Sequence, residues 1–297
     1  MPNPPNPPRP TLLLACLAIV YLVWGSTYLA IHFVVEGIPP LISSALRNFC
    51  AGPILLAFMK WRGAPWPTLR QWRNGALIGF MMMGVGNGFV CLAETRVPSG
   101  LAALIIAGTP VFAILFAWGL FGVRPRLLEW LGIALGLGGM ALLNFDLHAA
   151  ASPVYVAVLF IAGASWAAAT VLQPRLDLPR GPMSAAVQML GGGASLVVMA
   201  ALHGERLDVA AVPLSAWLGL AYLVVFGSLV AYTAFVYVIG HSRPALATSY
   251  AYVNPVVAVG LGVLFAGETV SVPMMVGMAV ILAGVGLVVL GSQRRKA

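Results

Sequence analysis

Charged residues are scarce in this chain of 297 residues: Asp, Glu, Lys and Arg make up 8% of it, whereas hydrophobic residues make up 61%. The apolar runs are long enough to span the ~30 Å hydrocarbon layer of a bilayer, which is more than a soluble core requires. No polar segment between them is large enough to fold as a water-soluble domain. The composition therefore predicts an all-α, multi-pass membrane protein embedded in the lipid bilayer.

Motifs for catalysis and metal binding are also absent from the sequence. It contains no HExxH or GxSxG motif and no close cluster of acidic residues or histidines. The three cysteines, Cys16, Cys50 and Cys91, lack metal-ligand spacing and are interpreted as small packing residues. We therefore expect neither an enzyme nor a bound metal or cofactor. The net charge of +8 does not indicate a nucleic-acid partner, because the basic residues lie between apolar runs.

Ten apolar stretches bounded by turn residues and charges predict ten transmembrane spans. They cover residues 11–34, 39–59, 74–92, 98–121, 128–145, 153–173, 182–202, 213–239, 244–266 and 273–291. The proline-rich residues 1–10 are predicted to form a disordered tail, and residues 292–297 a basic tail. A cleaved signal peptide is not expected, since the first apolar stretch continues to about Val35.

The distribution of Lys and Arg predicts that both termini are cytoplasmic. In that orientation the outer segments contain only Arg96 and Arg206, and Arg47 lies within span 2. The other 13 of the 16 basic residues lie in the inner segments. Cytoplasmic loops of membrane proteins carry such an excess of positive charge.

The chain contains an internal repeat. The segment Leu101–Ala113 recurs 145 positions later as Leu246–Ala258, which predicts one repeat over residues 11–148 (spans 1 to 5) and a second over residues 152–291 (spans 6 to 10). Equivalent spans are separated by five, an odd number, so the two repeats must be inverted relative to each other. Inverted repeats are typical of transporters that work by alternating access.

Four sequence runs carry a family resemblance: WGSTYLAI at 24–31, LRNFCAG at 46–52, PALATSYAYVNPVVAVGLG at 244–262 and GET at 267–269. They resemble the EamA-type branch of the drug/metabolite transporter (DMT) superfamily, over about residues 11–291. The resemblance implies a ten-helix exporter of the bacterial inner membrane that needs no partner chain, so a monomer is expected and a homodimer stays open. The superfamily carries amino acids, drugs, sugars and nucleotide sugars, so the resemblance leaves the solute open.

Two prolines mark the predicted solute site. Thr109-Pro110 in span 4 and Asn254-Pro255 in span 9 each lie about eleven residues into their spans, ~16 Å at 1.5 Å per residue and thus near the midplane. Proline cannot donate to the carbonyl four residues earlier, and a carbonyl freed at that depth must face protein, water or ligand. We predict that Pro110 and Pro255 break their helices at the site; the alternative is a pair of kinks that only shape the bundle.

Aromatic and amide side chains at matched positions complete this prediction. Trp24 and Trp166 lie mid-span, where an indole N–H needs a partner, and Tyr250 shares a helix face with Asn254. Asn87 and Tyr232 correspond at the 145-residue offset. The predicted substrate-binding residues are therefore Trp24, Asn87, Thr109, Trp166, Tyr232, Tyr250 and Asn254. Packing between helices is the alternative role for the two tryptophans.

Arg47 is the only charged residue that lies well inside a predicted span. Arg47 could bind a substrate carboxylate, satisfy backbone carbonyls or extend toward the outer interface. All eight acidic residues lie in loops or at span ends, so no carboxylate is available as a midplane proton relay. Any proton coupling is expected to be weak, or to use Glu94 or His32 near the outer face.

Matching glycines predict close helix packing. Gly132 and Gly139 in span 5 recur at the same offset as Gly277 and Gly284 in span 10. Small residues allow helix backbones to approach closely. The glycines could form a seam between the two repeats or a homodimer contact.

A midplane chamber of aromatic, Asn and Thr side chains suits net-neutral solutes, whereas phosphates require several fixed Lys or Arg. We therefore expect a secondary transporter that exports amino acids, with neutral and aromatic ones favoured, or similar small metabolites by alternating access. A multidrug exporter is the alternative within transport, and a membrane channel is the alternative of another class.

Overall fold

The computed structural model describes residues 10–96, 102, 105–143, 153–266 and 272–293. In these ranges the chain forms α-helices with π-helical and 3-10 segments and no β-strand. The helices of the first half are α1 (Pro10–Val35), α2 (Pro40–Trp61), α3 (Leu69–Gly79), α4 (Gly88–Glu94), α5 (Thr109–Phe121) and α6 (Leu127–Leu143). Those of the second half are α7 (Pro153–Leu172), α8 (Pro182–His203), α9 (Leu214–Tyr222), α10 (Thr233–His241), α11 (Pro244–Thr248), α12 (Tyr250–Ala266) and α13 (Val272–Gln293).

Six helical stretches are long and apolar enough to cross a membrane by length and composition, and shorter apolar helices cover Thr109–Phe121, Leu127–Gly139 and Met275–Val288. The described helices overlap all ten predicted spans. This confirms the all-α membrane fold, while the number of crossings and the sidedness of the termini stay predictions. The N-terminal tail up to residue 9 and residues 294–297 lie outside the described residues.

Two long helices each contain a π-helical segment. Phe80–Asn87 joins α3 to α4, and Leu223–Tyr232 joins α9 to α10. The wider π turn displaces backbone and side chains from their α-helical register and is frequent at functional sites. The two segments end at residues 87 and 232, which are equivalent at the 145-residue offset.

The span predicted over 98–121 is interrupted just before Pro110. The chain turns at Ala107 and Gly108, and α5 begins at Thr109, so Pro110 occupies its first turn. Proline is well tolerated there because the first N–H groups of a helix have no intrahelical acceptor. The Ile106 carbonyl accepts a hydrogen bond from the Thr109 hydroxyl (2.6 Å). Pro255, in contrast, lies inside α12.

Helices α6 and α13 pack backbone against backbone along a glycine seam. A β-carbon at Gly132 would lie 2.5 Å from the Gly284 carbonyl oxygen, and one at Gly139 would lie 2.7 Å from the Gly277 carbonyl oxygen. Any side chain at these positions would collide with backbone, which explains the glycines. Because the earlier residue of one helix meets the later residue of the other, the helices are antiparallel. The sequence left open whether these glycines form a seam within the chain or a homodimer contact. The structure shows the seam within the chain.

The side chain of Tyr252 packs beside this seam. It is fully buried, and a β-carbon at Gly136 would lie 3.0 Å from its ring. Tyr252 therefore contacts a neighbouring helix and takes no part in the cavity described below.

Two buried carboxylates connect the ends of helices. Glu129, 1% exposed, pairs with the Arg243 guanidinium (Nη2 to Oε2, 2.9 Å) and accepts from the backbone N–H of Arg126 (2.8 Å). The Arg126 guanidinium in turn donates to the Gly291 carbonyl near the end of α13. Beyond the far end of α8, Glu205 accepts from the backbone N–H groups of Leu41 and Ile42, which are unpaired at the start of α2 (3.0 and 2.9 Å).

Candidate functional site

A cavity of about 100 Å³ lies where both π-helical segments meet α1, α2, α5, α7 and α12. We call it the central cavity. All seven predicted substrate-binding residues line it, as does Arg47. The structure thus brings together residues that lie up to 230 positions apart in the sequence, namely Trp24, Arg47, Asn87, Thr109, Trp166, Tyr232, Tyr250 and Asn254. Their role in binding stays a prediction.

Four aromatic rings form a continuous layer along one side of the central cavity. The Trp24 ring lies edge-on to Trp166 and Tyr250, with centroid distances of 5.7 and 4.7 Å. Phe235 completes the layer at 4.8 Å from Trp24, 5.8 Å from Trp166 and 5.5 Å from Tyr250. Edge-to-face and tilted contacts at these distances are the favoured geometry of aromatic pairs. We refer to Trp24, Trp166, Tyr250 and Phe235 as the aromatic layer.

Sequence reasoning did not identify Phe235. Its side chain is fully buried behind the other three rings and does not line the central cavity. One signal was present: the 145-residue offset pairs Phe235 with Val90, which does line the cavity.

Arg47 is the only charged residue among the described residues that line the central cavity. Its Nε donates to the Ser228 hydroxyl (2.6 Å), and the second π-helical segment supplies that hydroxyl. The Nη2 atom lies 3.0 Å from the position that a β-carbon would take at Gly227, so a larger residue there would crowd the guanidinium. No described carboxylate pairs with Arg47. One neutral hydrogen bond thus holds Nε, and the planar fork of N–H donors has the geometry that binds a carboxylate.

Two buried polar atoms in the cavity wall lack a partner in the described structure: the indole N–H of Trp166 and Oδ1 of Asn254. Leaving a buried polar group unpaired costs about 1–3 kcal/mol. One atom donates and the other accepts, so a solute with both functions can pair with each of them.

The remaining polar groups of the wall are already engaged. The Trp24 indole donates to the Gly227 carbonyl (3.1 Å), and the Asn87 amide donates to the Ser44 hydroxyl (3.3 Å). The Tyr232 hydroxyl donates to Oε1 of Gln188 (2.5 Å). These residues therefore shape the wall with their rings and chains, whereas Trp166 and Asn254 carry buried polar atoms that have no partner among the described residues.

The two residues predicted for proton coupling cannot be placed relative to the cavity. The side chains of His32 and Glu94 lie outside the described part of the chain, although both backbones are helical. Their role stays a prediction.

Comparison with known proteins identifies the family. The EamA-like transporter family matches residues 10–145 and 154–290. The uncharacterized inner membrane transporter YedA of Escherichia coli strain K12 is 44% identical over 281 residues, which cover 94% of this chain and 91% of YedA. Protein PecM of Dickeya dadantii is 27% identical over 271 residues, covering 90% of this chain and 88% of PecM.

A solved crystal structure has the same fold. It is 22% identical in sequence and matches 98% of this chain and 100% of its own, with a TM-score of 0.76. The resemblance drawn from the sequence runs is thereby confirmed: the chain belongs to the EamA-like transporter family, within the drug/metabolite transporter superfamily.

Proposed function

We propose that this protein is a secondary transporter that exports amino acids, with neutral and aromatic ones favoured, or similar small metabolites by alternating access. The observation that carries the proposal is a single guanidinium, Arg47, in a cavity whose other described lining residues are aromatic, amide, hydroxyl and aliphatic and carry no charge. One fixed positive charge suits one carboxylate. Phosphates and nucleotide sugars would need several.

A zwitterionic amino acid complements the free groups of the central cavity. Its carboxylate pairs with Arg47, and its ammonium donates to the unpartnered Oδ1 of Asn254. An apolar or aromatic side chain then packs on the aromatic layer, where a ring gains about 0.5–1.5 kcal/mol beyond its buried area. The three parts of the solute are thus matched by three different parts of the wall.

The inverted arrangement of the two repeats is the second part of the proposal. The 145-residue offset relates Gly132 to Gly277 and Gly139 to Gly284. The contact between Gly132 and Gly284 is therefore equivalent to the contact between Gly139 and Gly277. A pseudo-two-fold axis perpendicular to two antiparallel helices produces this pattern. The separate family matches to residues 10–145 and 154–290 also support repeats over residues 11–148 and 152–291. Such halves can exchange conformations, which opens one site to each side in turn.

Location and coupling follow from the charge pattern. We place the protein in the bacterial inner membrane, where its relative YedA is named as a transporter, with both termini cytoplasmic. The seam within the chain supports a monomer. Coupling to protons, if strong, uses Glu94 or His32. Proton-driven flux that persists in the Glu94→Gln/His32→Ala double variant would contradict that assignment.

Counterflow in proteoliposomes tests the proposed function. Vesicles loaded with unlabelled L-phenylalanine should accumulate labelled L-phenylalanine transiently, because a carrier exchanges solute across the membrane. Asn254→Ala should lose this exchange, whereas Gly138→Ala, a substitution into open space on α6, should retain it. Flux that is linear in concentration and shows no exchange would indicate a channel. Exchange of bulky cationic drugs without exchange of amino acids would indicate the multidrug alternative.

A further inference from the structure

A second and larger cavity, of about 580 Å³, lies beside α10 and the C-terminal end of the second π-helical segment. We call it the inner cavity. It is lined by Cys16 of α1, by the α7–α8 connection around Gln173, and by Thr233 of α10. Cys16 precedes Trp24 by eight residues, ~12 Å along a helix, toward the end that the charge pattern predicts to be cytoplasmic. The described lining residues of the two cavities do not overlap.

The inner cavity contains unpaired polar atoms of its own. Gln173, 6% exposed, has Oε1 without a hydrogen-bond partner among the described residues, and the Thr233 hydroxyl also lacks one. A buried carboxamide oxygen without a donor is unfavourable by about 1–3 kcal/mol. A ligand with an N–H group removes this cost.

The remainder of the inner cavity is mostly apolar and contains no carboxylate, ammonium or guanidinium among its described lining residues. Leu176 and Leu178 contribute apolar surface, and the rings of Tyr237 and His241 stack at 4.0 Å. The His241 Nδ1 already lies 2.8 Å from the Tyr237 carbonyl oxygen. The lining thus offers apolar walls and an acceptor, with no fixed cation for a carboxylate.

A chain of hydrogen bonds connects the two cavities. Ser184 lines the inner cavity and accepts from the amide of Gln188 (2.8 Å), whose Oε1 accepts from the Tyr232 hydroxyl (2.5 Å). Tyr232 lines the central cavity. Because Gln188 is fully buried, these hydrogen bonds directly connect the wall of the inner cavity to the wall of the central cavity.

We propose that the inner cavity is a second solute-binding site, in which Gln173 Oε1 accepts a hydrogen bond from the amine of an apolar or aromatic amine, amino acids included. The proposal rests on the proposed function, since it assigns the same solute class a first binding place on the cytoplasmic side. The two sites differ in the chemical groups of the solute that they recognise. The inner cavity binds the ammonium alone, whereas the central cavity also requires the carboxylate.

Protection of Cys16 from modification tests this site without a substitution. A membrane-impermeant methanethiosulfonate should modify Cys16 in inside-out vesicles and not in right-side-out vesicles, as measured by peptide mass spectrometry. 2-Phenylethylamine at ten times its dissociation constant should slow this modification about tenfold, because the cavity is then mostly occupied. L-Phenylalanine should also protect. 3-Phenylpropionate, which has the ring and carboxylate without the amine, should not.

Gln173→Met keeps the size of the side chain and removes the acceptor. It should weaken protection by 2-phenylethylamine about tenfold, the size of a hydrogen bond to a charged group. The same variant should leave Cys16 reactive, which shows that the cavity persists.

The outcomes separate the two proposals. Absence of L-phenylalanine counterflow by the native protein overturns the proposed function, and with it the shared solute class. Counterflow with Cys16 unprotected by 2-phenylethylamine, or with equal protection by 3-phenylpropionate, overturns the second site alone. Failure of Cys16 to react from the cytoplasmic side also overturns it.

Discussion

The glycine seam and the central cavity solve opposite packing problems in the same bundle. At the seam, α6 and α13 approach so closely that a β-carbon would collide with backbone, whereas at the cavity large side chains hold the helices apart around open space. The seam is also symmetric under the 145-residue offset. The cavity is not: Asn87 is matched by Tyr232, and Thr109 by Asn254. Symmetric contacts therefore serve the scaffold, and unequal side chains give the site its chemistry.

The largest effect is expected from breaking the seam. Gly139→Leu places a side chain against the Gly277 carbonyl oxygen and the Ile281 amide, at 2.7 and 2.9 Å, where backbone cannot move aside. Overpacking of side chains alone costs about 1–3 kcal/mol, and a backbone collision costs more. Little folded protein should be recovered on size-exclusion chromatography. Gly138→Leu, one residue away and facing open space, should give normal yield; equal losses in both variants would contradict a seam-specific role.

Removing the buried carboxylate of Glu129, near the start of α6, should have the next largest effect. Glu129→Gln leaves the partly exposed guanidinium of Arg243 beside a neutral group. Breaking a fully buried ion pair costs about 3–5 kcal/mol, and the 23% exposure of the Arg243 side chain reduces this cost. The thermal unfolding midpoint in detergent should fall markedly. The Glu129→Gln/Arg243→Gln double variant should recover part of the loss, because no unpaired charge remains. A midpoint unchanged in the single variant would show that the pair is not needed.

Within the cavity, Arg47→Gln should abolish most transport while leaving the fold intact. Loss of one partner of a desolvated charge pair costs about 2–5 kcal/mol, so the affinity for L-phenylalanine should fall about 100-fold. Counterflow and the unfolding midpoint are measured on the same preparation. A stable Arg47→Gln protein with normal affinity would exclude the carboxylate contact.

The smallest effect is expected from the group that orients this guanidinium. Ser228→Ala removes the acceptor of the Arg47 Nε bond, which is worth about 1 kcal/mol, so affinity should fall about fivefold. Protection of Cys16 in the inner cavity by 2-phenylethylamine, which has no carboxylate, should not change. An equal loss for both solutes would assign Ser228 to packing alone.

The sequence was sufficient to predict residues that repeat. Trp24, Trp166 and Asn254 could be predicted to lie together because they occupy matched mid-span positions in the two halves, and all three line the central cavity. The glycines could be predicted because close backbone contact requires small residues. The start of α5 could not, since a turn before Pro110 and a kink at it have the same local pattern. Ser228 and the inner cavity also escaped prediction: both depend on which faces of distant helices meet, and periodicity does not report this.

Photolabelling can locate the bound solute in the native protein. The protein is irradiated with L-4-azidophenylalanine, and the modified peptides are identified by mass spectrometry. Adducts are expected on peptides that contain Trp166 or Asn254; they should be reduced by excess L-phenylalanine and absent in Arg47→Gln. Adducts confined to other helices, or adducts at these residues that excess L-phenylalanine does not reduce, would contradict binding of the solute in the central cavity.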